Sequence, residues 1–145
     1  MLYEECRKQA IADLKNYHQL KGSIKSMSQR IQFMQKADLY SAPSASEKVM
    51  SSKDSDNQYV HYISQLEEME SRLTYAKMYL FRIDNALSML LPKDRDLLMS
   101  YYVNRQRKSV TRMAEENFAD RSWIYRKAQK ALENYIALFF DVSKS

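Results

Sequence analysis

A regular apolar spacing between residues 62 and 90 constrains the fold of this chain more than any other feature. Steps of four and three residues alternate along it without a slip, which is typical of a helix that buries one narrow stripe. The stripe consists of Tyr62, Leu66, Met69, Leu73, Ala76, Leu80, Ile83, Leu87 and Leu90. It predicts a long helix over about residues 58–90, and such a helix needs a partner to cover its apolar side.

A similar stripe lies in the first part of the chain and supplies that partner. It predicts a helix over about residues 2–36, with apolar positions Tyr17, Leu20, Ile24, Met27, Ile31 and Met34. Gly22 lies inside this helix, where it either costs about 1 kcal/mol relative to alanine or marks a break. We expect the two helices to form an antiparallel hairpin, although pairing between two chains in a homodimer would cover the same stripes.

The connection between the two predicted helices is polar. Residues 38–57 contain six serines and Pro43 and show no helical apolar period, which is typical of a linker. Asp56 or Asn57 is expected to cap the second helix.

The scarcity of glycine limits the function classes open to this chain. One glycine and two prolines occur in 145 residues, whereas phosphate-binding loops and tight β-hairpins both depend on glycine. An all-α fold is therefore expected. Cys6 is the only cysteine, and His18 and His61 are far apart. We see no metal-ligand spacing and no catalytic constellation, so we expect no metal, no cofactor and no enzymatic activity.

The N-terminal residues and the hydropathy of the chain indicate its cellular location. The opening MLYEECRKQ carries acidic residues where a signal peptide would carry positive charge. No apolar run approaches the roughly 20 residues of a membrane span. These features predict a cytoplasmic protein without membrane contact.

Positive charge is concentrated at the two ends of the sequence. The net charge is +5, with seven Lys and Arg against three acidic residues in 1–37, and eleven against seven in 92–145. This balance is compatible with nucleic-acid binding. The cations of the first helix could equally be solvated or paired with acidic residues of the second, namely Glu67, Glu68 and Glu70.

The last third of the chain predicts a compact set of short helices over residues 92–140, followed by a tail at 141–145. Pro92 is expected to end the second long helix and to begin a short helix that reaches about Val103. A basic turn at 104–108 follows, and its Arg105 is equally a candidate for DNA contact and for solvated surface. Ser109 is then expected to cap a short helix, and Asp120 a longer one.

The longer helix has two different faces. Its inward stripe is predicted to be Ile124, Ala128, Leu132, Tyr135 and Phe139. Its outward face carries Arg121, Ser122, Tyr125, Arg126 and Gln129. Guanidinium and amide groups can contact base edges or phosphates, so this face is typical of a recognition helix that reads DNA.

The C-terminal 55 residues resemble region 4 of bacterial sigma factors. The matching residues are Leu91-Pro92, Arg95, Leu97-Leu98, Tyr101-Tyr102, Met113-Ala114-Glu115-Glu116 and Ile124-Tyr125-Arg126-Lys127. With two long helices upstream, the chain is similar to RinA/ArpU-type late transcriptional regulators of phages in Gram-positive bacteria. The resemblance implies a helix-turn-helix that binds promoter DNA and activates late packaging and lysis genes in the bacterial host, with RNA polymerase as a further partner.

The resemblance also implies roles for individual residues. Arg121, Ser122, Tyr125 and Arg126 would face the major groove. Gln129 shares that face. Arg107, Lys108 and Arg112 would lie near phosphates, and we add Lys130 to the DNA-binding set as a further cation.

The turn departs from the sigma pattern because it lacks glycine. Asn117 is expected to adopt the left-handed conformation in its place, which would let Phe118 plug the core. Trp123 either packs on the preceding helix or stacks on a sugar or a thymine methyl.

Several other large side chains receive a structural interpretation. We expect a core position for Met27, Met34, Met69, Met89, Met113, Tyr62 and Tyr135. Tyr75 and Tyr79 are expected to be exposed, and could mark a partner surface.

The leading hypothesis from the sequence is a sequence-specific DNA-binding activator. One alternative is a small terminase-like protein that marks DNA for packaging. The other is a helical adaptor or inhibitor that acts through protein contacts without DNA.

Overall fold

The computed structural model describes residues 2–41 and 52–144, and every regular element in those ranges is helical. The α-helices are α1 (Leu2–Lys15), α2 (Tyr17–Ser41), α3 (Ser52–Met89), α4 (Pro92–Leu98), α5 (Ser109–Glu116) and α6 (Arg121–Phe140). A π-helical turn, Met99–Val103, continues α4 and is called the π segment below. The all-α prediction is confirmed.

The first predicted helix is divided at Asn16 into α1 and α2, and α2 continues to Ser41. The prediction of one helix ending near residue 36 is therefore wrong in both respects. Asn16 keeps its hydrogen bonds, since its N–H donates to the Ala12 carbonyl (3.0 Å) and its carbonyl accepts from Leu20 (2.9 Å). Asparagine is a weak helix former, whereas Gly22 lies within α2 and does not interrupt it.

The helix α3 begins at Ser52, so Asp56 and Asn57 lie inside it and neither caps it. The prediction of a cap at those residues is wrong. Helical structure extends into both ends of the expected linker, and residues 42–51 lie outside the described part of the chain. At the other end, Leu91 precedes α4 and Pro92 is its first residue, as expected.

Both apolar stripes are covered in the structure, as their spacing predicted. All nine positions from Tyr62 to Leu90 are at least half-buried, and so are all six positions from Tyr17 to Met34. Met27, Met34, Met69 and Tyr62 belong to these stripes and are half-buried. The period alone therefore identified the packed sides of both long helices.

The described chain divides into two compact units. Unit 1 comprises residues up to 20 together with those from 79 onward, and unit 2 comprises 21–78. The sequence instead suggested regions 1–91 and 92–140. The bounds differ because α1 packs on α6 and on the π segment. Ala10 and Leu14 of α1 are completely buried there.

The core of unit 1 joins α1, the end of α3, α4 and α6. Its fully buried large side chains are Leu14, Ile83, Leu98, Leu132, Tyr135 and Ile136. Hydrogen bonds at its edge connect distant segments: the Tyr17 hydroxyl donates to Asp84 (2.5 Å), and the Tyr79 hydroxyl donates to Asp13. The expected tail also belongs to this unit, since Val142 packs against the core and Lys144 pairs with Glu133 (3.4 Å).

Unit 2 contains parts of α2 and α3. The Tyr62 hydroxyl donates to the carbonyl of Met34 (2.9 Å), and the Gln35 amide donates to Glu70 (3.5 Å). Ile31 and Ala76 are its buried apolar residues among those described.

Two side chains lie on the opposite side from their predicted position. Met89 was expected in the core but is exposed. Tyr79 was expected to be exposed but is half-buried, because its ring packs against the unit 1 core and its hydroxyl reaches Asp13. Tyr75 is exposed, as expected.

No helix in the described ranges has the length and apolar character that crossing a membrane requires.

Candidate nucleic-acid interface

The two faces of α6 separate as the sequence predicted. The inward residues Ile124, Ala128, Leu132, Tyr135 and Phe139 are all buried. The outward residues Arg121, Ser122, Tyr125, Arg126, Gln129 and Lys130 are all exposed. We call this second set the α6 outer face. It offers guanidinium, ammonium, amide and hydroxyl groups to solvent from the first half of one helix.

The helix α5 packs against α6 and supports its first turns. Val110, Met113 and Ala114 of α5 form a small buried cluster with Ile124. Arg112 lies on the exposed side of α5. Trp123 is half-buried and packs against the same cluster, with the Lys127 ammonium 5.6 Å from its ring centroid. The structure thus favours the packing interpretation of Trp123.

The connection between α5 and α6 differs from its prediction at two residues. Phe118, not Asn117, adopts the left-handed conformation, with φ of 51° against −101° for Asn117. The N–H groups of Phe118 and Ala119 donate to the carbonyls of Glu115 (3.2 Å) and Ala114 (2.9 Å), the Schellman arrangement in which Phe118 is the left-handed residue, and the Asn117 side-chain amide donates to the Met113 carbonyl (2.7 Å). Phe118 consequently points away from the core and is 98% exposed. The prediction that it plugs the core is wrong.

The helix starts were partly predicted. Asp120 occupies the N-cap position of α6 with an extended backbone, although its side chain makes no capping hydrogen bond. Ser109 is the first residue of α5 rather than its cap, and Lys108 precedes it in the left-handed conformation. The Ser109 hydroxyl instead accepts from the N–H of Gln106 (2.7 Å), because the chain folds back over it.

Residues 104–108, called the basic turn here, are held at several points. The N–H of Asn104 donates to the Met99 carbonyl (2.7 Å) at the end of the π segment. His18 Nε2 donates to Asn104 Oδ1 (2.5 Å), which links the turn to the start of α2. Arg105, Arg107 and Lys108 are all exposed on this turn.

Two tyrosines and an arginine join the basic turn to α6. The guanidinium carbon of Arg105 lies 4.8 Å from the ring centroid of Tyr101. The Tyr125 ring also contacts Tyr101, with the two ring centroids 6.1 Å apart and the two rings nearly perpendicular. Arg105 was a candidate DNA contact from the sequence, whereas Tyr101 was not. A π segment leaves no periodic signal in the sequence, and it is this segment that carries Tyr101.

A further cation lies near the π segment. Burial raises the pKa of the Tyr102 hydroxyl, whereas the charges of Arg7 and Arg105 act to lower it. The charges of both guanidinium groups therefore act on the same hydroxyl, and α1 contributes positive charge to this part of unit 1.

The cations of this region form no ion pairs with the described residues. The salt bridges given for the described residues lie elsewhere and join Arg72 to Glu68, Arg95 to Asp96, and Lys144 to Glu133. Seven exposed cations of the basic turn, α5 and the α6 outer face have no such partner among the described residues, namely Arg105, Arg107, Lys108, Arg112, Arg121, Arg126 and Lys130. Exposed carboxylates also occur nearby in sequence, at Glu115, Glu116 and Asp120. The unpaired cations are thus available to an external anion.

A groove beside the α6 outer face and the possible metal ligands were the other candidates for a site in the described part of the chain. A groove of about 440 Å³ lies between α4, the end of α5 and the start of α6, and its wall includes Trp123, Leu97, Asp94, Asp96 and Glu116. No group of three or more His, Cys, Asp or Glu side chains in the described ranges could hold a metal ion. Cys6 is buried, and His18 is engaged with Asn104.

The chain matches no protein-family model, no curated protein and no solved structure.

Proposed function

We propose that this chain is a sequence-specific DNA-binding transcriptional regulator whose helix-turn-helix is α5, the connection 117–120 and α6. The observation that carries the proposal is the α6 outer face. Its polar and cationic groups are exposed on the first turns of a helix whose opposite side is fully buried. A helix presented in this way can enter the major groove, which admits one helix.

The side chains of the α6 outer face suit base recognition. Arginine donates two parallel hydrogen bonds to guanine, and glutamine can pair with adenine in the same bidentate manner. Arg121, Arg126 and Gln129 would supply these contacts. Tyr125 is 42% exposed and also packs on Tyr101, so its ring would contact DNA from a constrained position.

The cations around the α6 outer face suit the phosphate backbone. Arg107 and Lys108 on the basic turn, Arg112 on α5 and Lys130 on α6 are exposed and unpaired among the described residues. Contacts of this kind fix the register of a protein on DNA without reading sequence. They would also make the affinity depend strongly on salt.

The regulatory role rests on the resemblance to sigma region 4 and to the RinA/ArpU-type regulators. Activation of late phage genes at a promoter in the bacterial cytoplasm, with RNA polymerase as a protein partner, is part of this proposal. The Tyr17–Asp84 contact joins the start of α2 to the end of α3. The Met34–Tyr62 contact joins a later residue of α2 to an earlier residue of α3. That order supports an antiparallel hairpin, whose outer surfaces could serve in a homodimer.

Removing charge from α6 tests the recognition helix. The double variant Arg121→Ala/Arg126→Ala should weaken binding to double-stranded DNA by at least about tenfold, because each well-placed arginine contributes about 1–3 kcal/mol. The matched control is Lys25→Ala/Arg30→Ala, which removes two exposed cations from α2. Circular dichroism should show unchanged helix content in both. Equal binding by the two double variants would contradict the assignment of α6.

Selection of bound sequences from random double-stranded DNA, at stated salt, tests specificity. A sequence-specific regulator should enrich a short motif, and the Arg121→Ala/Arg126→Ala variant should lose that motif. Binding without enrichment would indicate contact with the backbone alone and would contradict a promoter-reading role.

A protein-binding adaptor is the second candidate, and the groove beside Trp123 favours it. This groove is lined by apolar side chains and by charges of both signs, with carboxylates at Asp94, Asp96 and Glu116 beside the ammonium groups of Lys93 and Lys127. Mixed charge around apolar side chains suits a protein partner better than the uniformly anionic DNA backbone. An adaptor of this kind would be indifferent to the loss of Arg121 and Arg126, and the double variant therefore distinguishes the two functions.

A further inference from the structure

The guanidinium of Arg105 is held in place by an aromatic ring rather than by a carboxylate. It lies 4.8 Å from the centroid of Tyr101, within the range of a cation–π contact. A cation–π contact leaves the guanidinium N–H donors without a carboxylate acceptor. Arg105 is exposed and has no acidic partner among the described residues, so these donors are available to a ligand.

The ring that holds Arg105 is itself fixed relative to α6. Tyr101 is half-buried in the π segment, where its ring centroid lies 4.8 Å from that of Tyr102 and 6.1 Å from that of Tyr125. Since Tyr125 belongs to the α6 outer face, Arg105 is connected to that face through two rings. Its position relative to α6 is thus set by packing, not by the loop alone.

The backbone of the basic turn is also restrained on both sides of Arg105. Asn104 is hydrogen-bonded to Met99 and to His18. The Gln106 N–H donates to the Ser109 hydroxyl (2.7 Å), and the Gln106 carbonyl accepts from the Ser109 N–H (3.1 Å). A cation on a turn held in this way loses less conformational entropy when it binds an anion.

We infer that Arg105 is a further phosphate-binding residue of the DNA interface and that Tyr101 is the residue that positions it. This inference rests on the proposed function. The ligand group is a backbone phosphate of double-stranded DNA, at a fixed offset from the bases that the α6 outer face contacts. The planar fork of arginine matches a phosphate with two parallel hydrogen bonds.

Four single variants of the full chain test the inference, with binding to double-stranded DNA measured by fluorescence anisotropy over a salt series. Arg105→Gln should weaken binding roughly fivefold to tenfold. Its plot of log affinity against log salt should be shallower by about 0.9, the loss of one phosphate contact. Arg105→Lys should keep the wild-type salt slope, since it keeps the charge. It should bind less tightly than the wild type because lysine lacks the planar fork.

The tyrosine variants separate positioning from structure. Tyr101→Phe keeps the ring and should bind like the wild type, whereas Tyr101→Leu removes the ring and should weaken binding. The double variant Tyr101→Leu/Arg105→Gln should bind no more weakly than Arg105→Gln alone, because Tyr101 acts through Arg105. Additive losses in the double variant would overturn the positioning role of Tyr101.

Lys25→Gln is the matched control for lost charge and should change neither affinity nor slope. If Arg105→Gln behaves like this control while Arg121→Ala/Arg126→Ala loses binding, the inference fails and the proposed function stands. If Arg121→Ala/Arg126→Ala also binds like its own control, the proposed function fails, and the inference fails with it.

Discussion

The two compact units differ in how completely they bury their apolar side chains. In unit 1, the side chains of Leu14, Ile83 and Ile136 are fully inaccessible to solvent, and α1, α3, α4 and α6 all contribute to that core. In unit 2, the buried apolar residues among those described are Ile31 at 6% exposure and Ala76 at 9%. A stripe shared by α2 and α3 leaves each side chain open on its flanks, whereas a third and fourth helix close the flanks. The candidate DNA-binding residues all belong to unit 1, the unit with the closed core.

The largest expected effect is on the unit 1 core. Ile83→Ala should lower the free energy of unfolding by about 2–5 kcal/mol, because it leaves a cavity among side chains that have little freedom to relax. Ile31→Ala removes the same atoms from unit 2 and should cost less, about 1–2 kcal/mol, since its half-open surroundings can adjust. Urea denaturation followed by circular dichroism measures both. Equal losses would show that the two units bury isoleucine equally well.

Periodic features of the sequence predicted much of the fold. The stripe from Tyr62 to Leu90 and the inward residues of α6 follow helical spacing, and spacing determines which side of a helix is buried. The α6 outer face could be predicted for the same reason, as the side opposite Ile124 and Leu132. The start of α4 at Pro92 follows from the chemistry of one residue.

Features that depend on distant partners were not predicted. Tyr79 is half-buried because Asp13, far away in the sequence, accepts its hydroxyl. The contact of the Arg105 guanidinium with the Tyr101 ring depends on the π segment, which has no signature in the apolar period. A local error occurred at the α5–α6 connection, where the hydrogen bonds that end α5 place the left-handed residue at Phe118, one position later than expected.

Alkaline pH should also act on unit 1. Burial, and then the hydrogen bond to Asp84, raise the pKa of Tyr17 to about 12 from an ordinary value of about 10. Burial raises the pKa of Tyr3, Tyr79, Tyr102 and Tyr135 as well. Each of these five tyrosines lies in unit 1. A raised pKa in the folded state means that stability is complete below about pH 10 and falls as the pH rises toward 12.

The free energy of unfolding measured between pH 9 and pH 12, at fixed salt, should therefore decline (roughly one proton released per tyrosine titrated). The Tyr17→Phe variant cannot ionise at this position, so its free energy of unfolding should decline less steeply with pH than that of the wild type. Tyr59→Phe is the control, because Tyr59 is exposed in unit 2. A Tyr17→Phe variant with the wild-type pH profile would argue against an altered pKa at Tyr17.

A smaller effect is expected at the corner between α5 and α6. Phe118 has φ of 51° and is almost fully exposed. Its left-handed backbone is therefore unfavourable, and its side chain makes little packing contact to offset this. Phe118→Gly should raise the free energy of unfolding by up to about 1 kcal/mol. Phe118→Ala keeps the Cβ atom and should give no such gain. A gain in both variants would assign the effect to the exposed ring and not to the backbone.

The smallest change is expected in unit 2, at Gly22. Its backbone is not in the left-handed region, and a Cβ atom built there meets no other atom within 4 Å. Gly22→Ala should therefore raise the free energy of unfolding by about 0.5–1 kcal/mol, through higher helix propensity and a less flexible unfolded chain. Thermal denaturation compared with Ser23→Ala, an exposed neighbour in α2 that already carries a Cβ atom, measures the gain that is specific to glycine. No gain beyond that control would mean that α2 benefits from flexibility at this position, where the helix passes from unit 1 into unit 2.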